Sequence, residues 1–275
     1  MSMIQFPNCK INLGLSIIAK RNDGYHELET VFYPVSLKDI VEVIRASDPN
    51  TPVQFTSTGI EVPGEIPNNL CVKAYNLLKA AYPTLPPVKI HLHKHIPMGA
   101  GLGGGSSDAT AVLKLLNQVF NLSLTQTQLI NYAAQLGSDC PFFVFNTPCY
   151  ATGRGEILKP IQVDLSNYSI ALIHPGVHIA TSWAFQQLAP HNKEKSIATI
   201  IAQDIETWKQ ELVNDFEAPI FIANPLLAAI KSSLYNDGAI YASMSGSGSS
   251  LFGIFPKGHV FSNQQLSDKF RVDWI

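Results

Sequence analysis

The chain has 275 residues, 46% of them hydrophobic and 15% charged, with a formal net charge of −2. That length suits one large or two modest domains with ample core. The near-neutral balance argues against a nucleic-acid surface, which carries a basic excess, and leaves open a small phosphorylated ligand.

In chain order, Ile11, Leu13, Leu15 and Ile17 alternate with Asn12, Gly14 and Ser16, the pattern of a strand with one buried face. Lys10 and Asn12 share its other face, where a solvated strand end would also account for a lysine. Asn22 to His26 reads as a turn, followed by Leu28 to Pro34 and a strand over Asp39 to Arg45. Residues 48–69 are rich in Pro, Gly, Thr and Asn, with a short strand at Val53 to Thr56. The spacing of Leu70, Ala74, Leu77, Leu78 and Ala81 predicts a helix over Leu70 to Ala81.

Val88, Ile90 and Leu92 then alternate with Lys89, His91 and His93 as in a strand. His91, His93 and His95 would share one face. No carboxylate or cysteine accompanies them, so a solvated face competes with a metal site and no metal ligand is assigned.

Next comes Pro97-Met98-Gly99-Ala100-Gly101-Leu102-Gly103-Gly104-Gly105-Ser106-Ser107-Asp108, with five glycines from Gly99 to Gly105. Glycines this dense supply no side chain to a core, but they let backbone take positive φ and approach a ligand closely. Ala111, Val112, Leu115, Leu116, Val119 and Phe120 recur at helical spacing, predicting a helix over Ser106 to Phe120 that opens on Ser106, Ser107 and Asp108. Strand, glycine loop and helix N-terminus gather backbone N–H groups and the positive end of a helix dipole into an anion site, most simply for phosphate. The Walker pattern is excluded because the loop has no lysine. The dinucleotide pattern is excluded because no acidic residue lies about 20 positions on.

A second helix is expected over Leu122 to Leu136, starting near Ser123 or Thr125 and ending at Gly137. Asp139 follows, before an apolar run, Phe142 to Phe145, that reads as a buried strand. There Asp139 either faces a cleft or serves as a turn or cap residue. Ala151 to Gly155 reads as a turn near a domain boundary, which divides the chain at 1–155 and 156–275. Beyond it, Tyr168 to His174 is a buried strand, Thr181 starts a helix running to Leu188, and helices follow over Ala198 to Leu212 and Pro225 to Leu234. Strands at Ile240 to Met244 and Ser250 to Phe255 flank Ser245-Gly246-Ser247-Gly248-Ser249. This second glycine-serine loop is either a hairpin turn or a further source of N–H and hydroxyl donors to phosphate.

The four cysteines, Cys9, Cys71, Cys140 and Cys149, have no paired or zinc spacing and read as reduced thiols. The N-terminus carries no leader pattern, and no apolar run reaches the roughly 18 residues that span a bilayer. A cytoplasmic protein with a small-molecule partner, and with neither membrane nor nucleic acid, is expected. One lysine, one aspartate and two glycine loops make a phosphoryl-transfer set. In that chemistry the protein positions phosphates and stabilises charge, while a carboxylate orients or deprotonates the attacking hydroxyl.

Pro97 to Asp108 resembles the nucleotide loop of the GHMP kinases, the galactokinase, homoserine, mevalonate and phosphomevalonate kinase superfamily. Met244 to Phe252 resembles their C-terminal glycine motif. Within the superfamily, Lys10 to Leu15, Asp23-Gly24-Tyr25-His26-Glu27-Leu28 and Leu136 to Phe143 are similar to the branch acting on diphosphocytidyl methylerythritol. The resemblance covers nearly the whole chain. It implies an α+β fold of two domains, an N-terminal ribosomal-protein-S5-like α/β domain and a C-terminal ferredoxin-like domain, with the active site between them. It implies transfer of the γ-phosphate of ATP, with Mg²⁺, to the substrate's 2-hydroxyl in the non-mevalonate isoprenoid pathway. By position, Asp139 is then the catalytic base with Lys10 its partner, and Pro97 to Ser107 cradle the triphosphate. Tyr25 and Phe185 sandwich the cytosine, the His26 backbone reads its edge, and Asn12 and Thr181 contact the substrate. Ser107 is the one candidate contact to Mg²⁺. Cys9 stands where the family usually has alanine, a small-for-small change. A monomer or weak homodimer is expected. Two other readings stay open: a GHMP kinase for homoserine or mevalonate, which would lack the Gly24-Tyr25-His26 clamp, and a non-catalytic ligand sensor, which would have lost Lys10 or Asp139.

Overall fold

The computed structural model describes residues 2–48, 50–188, 190 and 194–275. In chain order its elements begin with strands β1 (Ser2–Gln5), β2 (Asn8–Lys20), β3 (His26–Lys38), β4 (Ile40–Arg45) and β5 (Val53–Gly59). Helix α1 (Leu70–Ala81), strand β6 (Val88–Lys94) and helices α2 (Gly104–Val119), α3 (Gln126–Leu136) and α4 (Cys140–Phe145) follow. Then come β7 (Cys149–Thr152), β8 (Ile157–Pro160), β9 (Tyr168–His174), α5 (Thr181–Gln186), α6 (Ile197–Ile201), α7 (Trp208–Glu211), α8 (Glu217–Ala223) and α9 (Pro225–Asn236). Strands β10 (Tyr241–Met244) and β11 (Leu251–Pro256), helix α10 (Gln264–Lys269) and strand β12 (Arg271–Trp274) complete the described chain. This is the α+β class expected from the sequence. No helix among the described residues is long and apolar enough to cross a membrane.

Two compact units share the chain. The first takes the residues up to Cys9, Ser36–Met98 and Gly103–Thr147; the second takes Lys10–Val35, Gly99–Leu102 and Pro148–Ile275. Neither is one continuous run, and the first glycine loop contributes to both.

In the first unit a four-stranded sheet runs in the order β1-β4-β6-β5, with β5 parallel to β6 and the other pairs antiparallel. Val41, Val43, Ile90 and Leu92 from the sheet pack with Tyr75 and Leu78 of α1 and with Val112 and Leu116 of α2. The apolar stripe of α2 is buried where its spacing placed it, but the helix begins two residues earlier than Ser106. Gly103 takes the position before the helix at φ 67°, a left-handed conformation open to glycine at little cost. Ser106, Ser107 and Asp108 therefore lie in the first turn rather than at its cap. The start of α3 is a capping box: the Thr125 hydroxyl accepts from Gln128 N–H while the Gln128 side chain accepts from Thr125 N–H.

The run Phe142 to Phe145 is not a strand but part of helix α4. Pro141 sits in its first turn, where its fixed φ suits a helix and its missing N–H leaves nothing unpaired. A run apolar on every side carries no period to distinguish helix from strand. In the second unit the expected helix over Ala198 to Leu212 is broken into α6, a 3₁₀ turn and α7. The side chain of Asp204 accepts from Glu206 N–H and restarts the chain between them. The helix from Thr181 ends at Gln186, short of Leu188.

The second unit holds two four-stranded sheets. One has the order β2-β3-β7-β8 and the other β10-β11-β9-β12, the latter antiparallel throughout. Leu15, Ile17 and Leu28 of the first share a core with Ala171, Ile173, Met244 and Phe255 of the second and with Phe216.

Candidate active site

In the second unit, Lys10 is 3% exposed despite its charge. Its Nζ lies 2.6 Å from Asn12 Oδ1 and 3.1 Å from the Gly101 carbonyl. Its backbone N–H donates to Leu102 O at 3.0 Å, and its ammonium sits 5.0 Å from the Phe32 ring centroid. The solvated strand end is thereby excluded. Asn12 is fixed in turn, donating through Nδ2 to Thr30 Oγ1 at 3.0 Å and through its backbone N–H to Ser245 Oγ at 3.3 Å. Lys10 and Asn12, which share a strand face by spacing, do meet.

The two glycine loops also meet. The Ser245 hydroxyl donates to Gly101 O at 2.8 Å, and Ser250 N–H donates to Ala100 O at 3.2 Å. Gly101, at φ 77°, lies so close to the Ser245 carbonyl that a Cβ would collide with it. The second loop is more than a hairpin turn: Asn214 Nδ2 donates to the carbonyls of Met244 and Gly246 at 2.7 and 2.9 Å, anchoring it from outside the strands. Thr181 Oγ1 is 3.2 Å from Ser247 Oγ, which ties the start of α5 to the same loop.

Of the residues assigned to the cytosine, His26 and Phe185 meet directly. His26 and Phe185 stack on each other at 5.1 Å with planes 19° apart, and Phe185 also meets Phe216 edge-on at 4.9 Å. Tyr25 is 55% exposed and carries the Arg154 guanidinium 4.8 Å from its ring centroid. Burial, with Lys20 nearby, moves the His26 imidazole pKa below its ordinary value and favours the neutral ring.

In the first unit, Ser107 is buried in the opening turn of α2 and lines a cleft with Asn8, Lys114 and Phe143. Burial pulls the Lys114 pKa down, and its Nζ donates to Phe143 O at 2.7 Å, near the C-terminal end of α4. Asp139 directly precedes α4, yet its carboxylate accepts no capping bond from that helix. A second cleft is lined by Met98, Gly105, Asn69, Val62, Lys94 and Asp108.

Sequence reasoning missed a buried ion cluster to which two of that cleft's lining residues, Lys94 and Asp108, belong. Lys94 Nζ is 2.5 Å from Asp39 Oδ2 and 2.7 Å from Asp108 Oδ2, all three almost wholly buried. Asp39 Oδ1 also accepts the backbone N–H groups of His95 at 2.5 Å and Ile96 at 2.8 Å, just ahead of the glycine loop. Burial pushes the Asp108 carboxyl up to about 7; Lys94 pulls against that and Asp39 adds to it. Burial works against the Lys94 charge, but the two carboxylates hold its pKa above the ordinary lysine value. The signal was there: in Val88-Lys89-Ile90-His91-Leu92-His93-Lys94, Lys94 falls on the apolar face. The histidines on the other face bond threonines, His91 to Thr56 and Thr58, and His93 to Thr58. Arg154, read as part of a turn, was missed likewise.

Comparison with known proteins places these features in a family. Residues 69–147 match the model of the GHMP kinases N terminal domain and residues 196–263 that of the GHMP kinases C terminal. The chain is 52% identical over 256 residues to a 4-diphosphocytidyl-2-C-methyl-D-erythritol kinase of Azobacteroides pseudotrichonymphae, covering 93% of this chain and 94% of that one. It is 51% identical to the protein of the same name from Bacteroides thetaiotaomicron, with 93% of each covered. Among solved structures it is similar to a 4-(cytidine 5'-diphospho)-2C-methyl-D-erythritol kinase, with a TM-score of 0.84 at 31% identity over 99% of this chain and 98% of the other.

Proposed function

The chain belongs to the GHMP kinase family, and from that membership we propose that it transfers the γ-phosphate of ATP to the 2-hydroxyl of 4-diphosphocytidyl-2-C-methyl-D-erythritol. The observation that carries this reading is the meeting of Lys10 and both glycine loops at the Gly101 carbonyl. That arrangement brings together glycine-loop backbone, serine hydroxyls and a buried ammonium, groups of the kind a triphosphate requires. The identity of about half to proteins named for this substrate supports it over homoserine or mevalonate.

In the reaction the bond between the γ-phosphorus and the ADP oxygen breaks as the substrate's 2-oxygen bonds to phosphorus, and the hydroxyl proton leaves. We assign Asp139 as the group that orients the hydroxyl and takes its proton, and Lys10 as the cation that steadies developing charge. Pro97 to Ser107 hold the triphosphate. Asn12 and Thr181 contact the alcohol, and Tyr25, His26 and Phe185 take the cytosine. Because His26 now covers one face of Phe185, entry of the base requires that imidazole to move aside. Magnesium would neutralise charge on the β and γ oxygens. Among the described residues no three or more His, Cys, Asp or Glu side chains gather into a metal cage. The ion would arrive on ATP and keep several waters, with the Ser107 hydroxyl as the protein's candidate contact.

We take residues 1–155 and 156–275 as the two family domains; the matched family models fall on either side of that division. We place the enzyme in the cytoplasm as a monomer or weak homodimer, acting on a small molecule. Its four cysteines are buried thiols, which suits a reducing compartment. A coupled assay of ADP release tests the activity, with Mg·ATP and the cytidyl alcohol, mevalonate or homoserine in parallel. Turnover with the cytidyl alcohol alone is expected. Turnover with another alcohol only would discard the cytosine clamp, and none with any, despite ATP binding, would favour a sensor.

A further inference from the structure

His174, the last residue of β9, stands between two side chains. Its Nε2 is 2.9 Å from Asp273 Oδ2 on β12, and its Nδ1 is 3.1 Å from Ser250 Oγ just before β11. Serine, histidine and aspartate in this order make a relay that elsewhere activates a nucleophile. Here Ser250 has no exposed surface, so no substrate carbonyl can reach its hydroxyl. The relay must act on structure.

What it acts on is the backbone of Ser250. That residue's carbonyl accepts from Ser245 N–H at 2.9 Å, closing the second glycine loop. Its own N–H donates to the carbonyl of Ala100 in the first glycine loop. Ser250 therefore holds both loops through its main chain while its side chain hangs on His174. Arg271 also holds Asp273, its Nε 2.9 Å from the same Oδ2 and its Nη2 donating to Oδ1 at 3.0 Å. Burial alone would raise the Asp273 carboxyl, but hydrogen bonds from His174 and Arg271 hold its pKa below the ordinary value. A carboxylate facing Nε2 places the imidazole proton there, leaving the Nδ1 lone pair to accept from the Ser250 hydroxyl.

We propose that His174 is a positioning residue for nucleotide binding, through which the C-terminal strand β12 fixes Ser250 and, by way of its backbone, Ala100 in the phosphate loop. This rests on the reading of the glycine loops as the ATP site. Neither His174 nor Asp273 touches substrate in this role; the effect passes through Ser250.

The test measures KM for ATP, KM for the alcohol, kcat and melting temperature in the full chain, for Ser250→Ala, His174→Gln and His174→Asn. Glutamine reaches the place of Nε2 and keeps the link to Asp273 but loses the serine. Asparagine reaches the place of Nδ1 and keeps the serine. Ser250→Ala and His174→Gln are expected to raise KM for ATP roughly tenfold, the upper range for one buried hydrogen bond, with KM for the alcohol unchanged. His174→Asn should restore most of the affinity, and combining Ser250→Ala with His174→Gln should be no worse than either alone. An unchanged KM for ATP with a lowered melting temperature would reduce the relay to a brace of the sheet. Asparagine as damaging as glutamine would show that Ser250 is not the route. If the unmodified chain neither turns over ATP nor binds Mg·ADP, both this inference and the kinase reading fall. The first two results would overturn this inference alone.

Discussion

The Ser245 hydroxyl donates to the Gly101 carbonyl at 2.8 Å, so the two glycine loops, 144 residues apart in sequence, are one piece of backbone architecture. Gly101 is held at φ 77° against the Ser245 carbonyl. Gly101→Ala combines a left-handed alanine, which costs roughly 1–2 kcal/mol, with a collision against main chain that cannot rotate away. Expressed in nucleotide binding, that strain alone is about tenfold in affinity. Titration calorimetry with Mg·ADP should show at least that loss, and an alanine variant binding like the unmodified chain would contradict the arrangement.

The Lys94 ammonium bonds both Asp39 and Asp108 in the interior. Replacing it with methionine strands Asp39 and Asp108 together in the interior, and removing one member of a buried ion cluster costs about 3–5 kcal/mol. Urea unfolding of Lys94→Met should show a loss of that order. A triple variant, Asp39→Asn, Lys94→Met and Asp108→Asn, should recover part of it, because no charge is then left unpaired.

Asp108 gives stability a pH dependence whose sign follows from its shift. Burial raises its folded pKa to about 7 from an ordinary 3.8, so between those values the folded chain keeps a proton the unfolded chain has released. The stabilisation from that proton is complete below about pH 4 and is lost as pH rises through 7. An asparagine side chain in its place has no such proton to lose. The melting temperature of Asp108→Asn minus that of the unmodified chain should therefore climb from pH 5 to pH 8, measured without nucleotide or Mg²⁺. A flat or falling difference would mean that Asp108 is ionised throughout.

Phe185 is wedged between His26 and Phe216, so it presents a rigid apolar face once His26 turns away. Phe185→Ala should raise KM for the cytidyl alcohol by about tenfold or more, a loss in keeping with an aromatic stacking contact plus its buried area, while KM for ATP stays put. Parallel kinetics on both substrates decide it. An equal rise for ATP would move Phe185 from the substrate side to general scaffolding.

Local order was readable wherever a residue type had one physical reason to be present. The glycines from Gly99 to Gly105 make sense only as backbone approaching something, whereas the pairing of Thr125 with Gln128 went unread and left the start of α3 open between Ser123 and Thr125. Alternation placed Lys10 and Asn12 on one face, where they do bond. Residues whose role depends on distant partners stayed hidden. Lys94 falls on the apolar face of its strand, but what pairs it there shows only when Asp39 and Asp108 arrive from 55 and 14 residues away. Phe142 to Phe145 has no polar side from which to read a period, and Pro141 decided it for helix. Ser250 and His174 are 76 residues apart and lie in segments that each read as ordinary strand ends.

Asp139 bears the sharpest prediction. It directly precedes α4, a position where aspartate commonly caps a helix, and yet it makes no capping bond there. The kinase reading gives it the proton of the attacking hydroxyl. Asp139→Asn keeps size and polarity but cannot accept that proton, and general-base assistance is typically worth about 10²–10⁴ in rate. The variant should melt within a degree or two of the unmodified chain and bind Mg·ATP and the cytidyl alcohol with little change in affinity. Its kcat should fall by about 10² or more. A kcat near that of the unmodified chain would show that phosphoryl transfer here needs no carboxylate base. A large loss of substrate affinity with kcat preserved would make Asp139 a binding group instead.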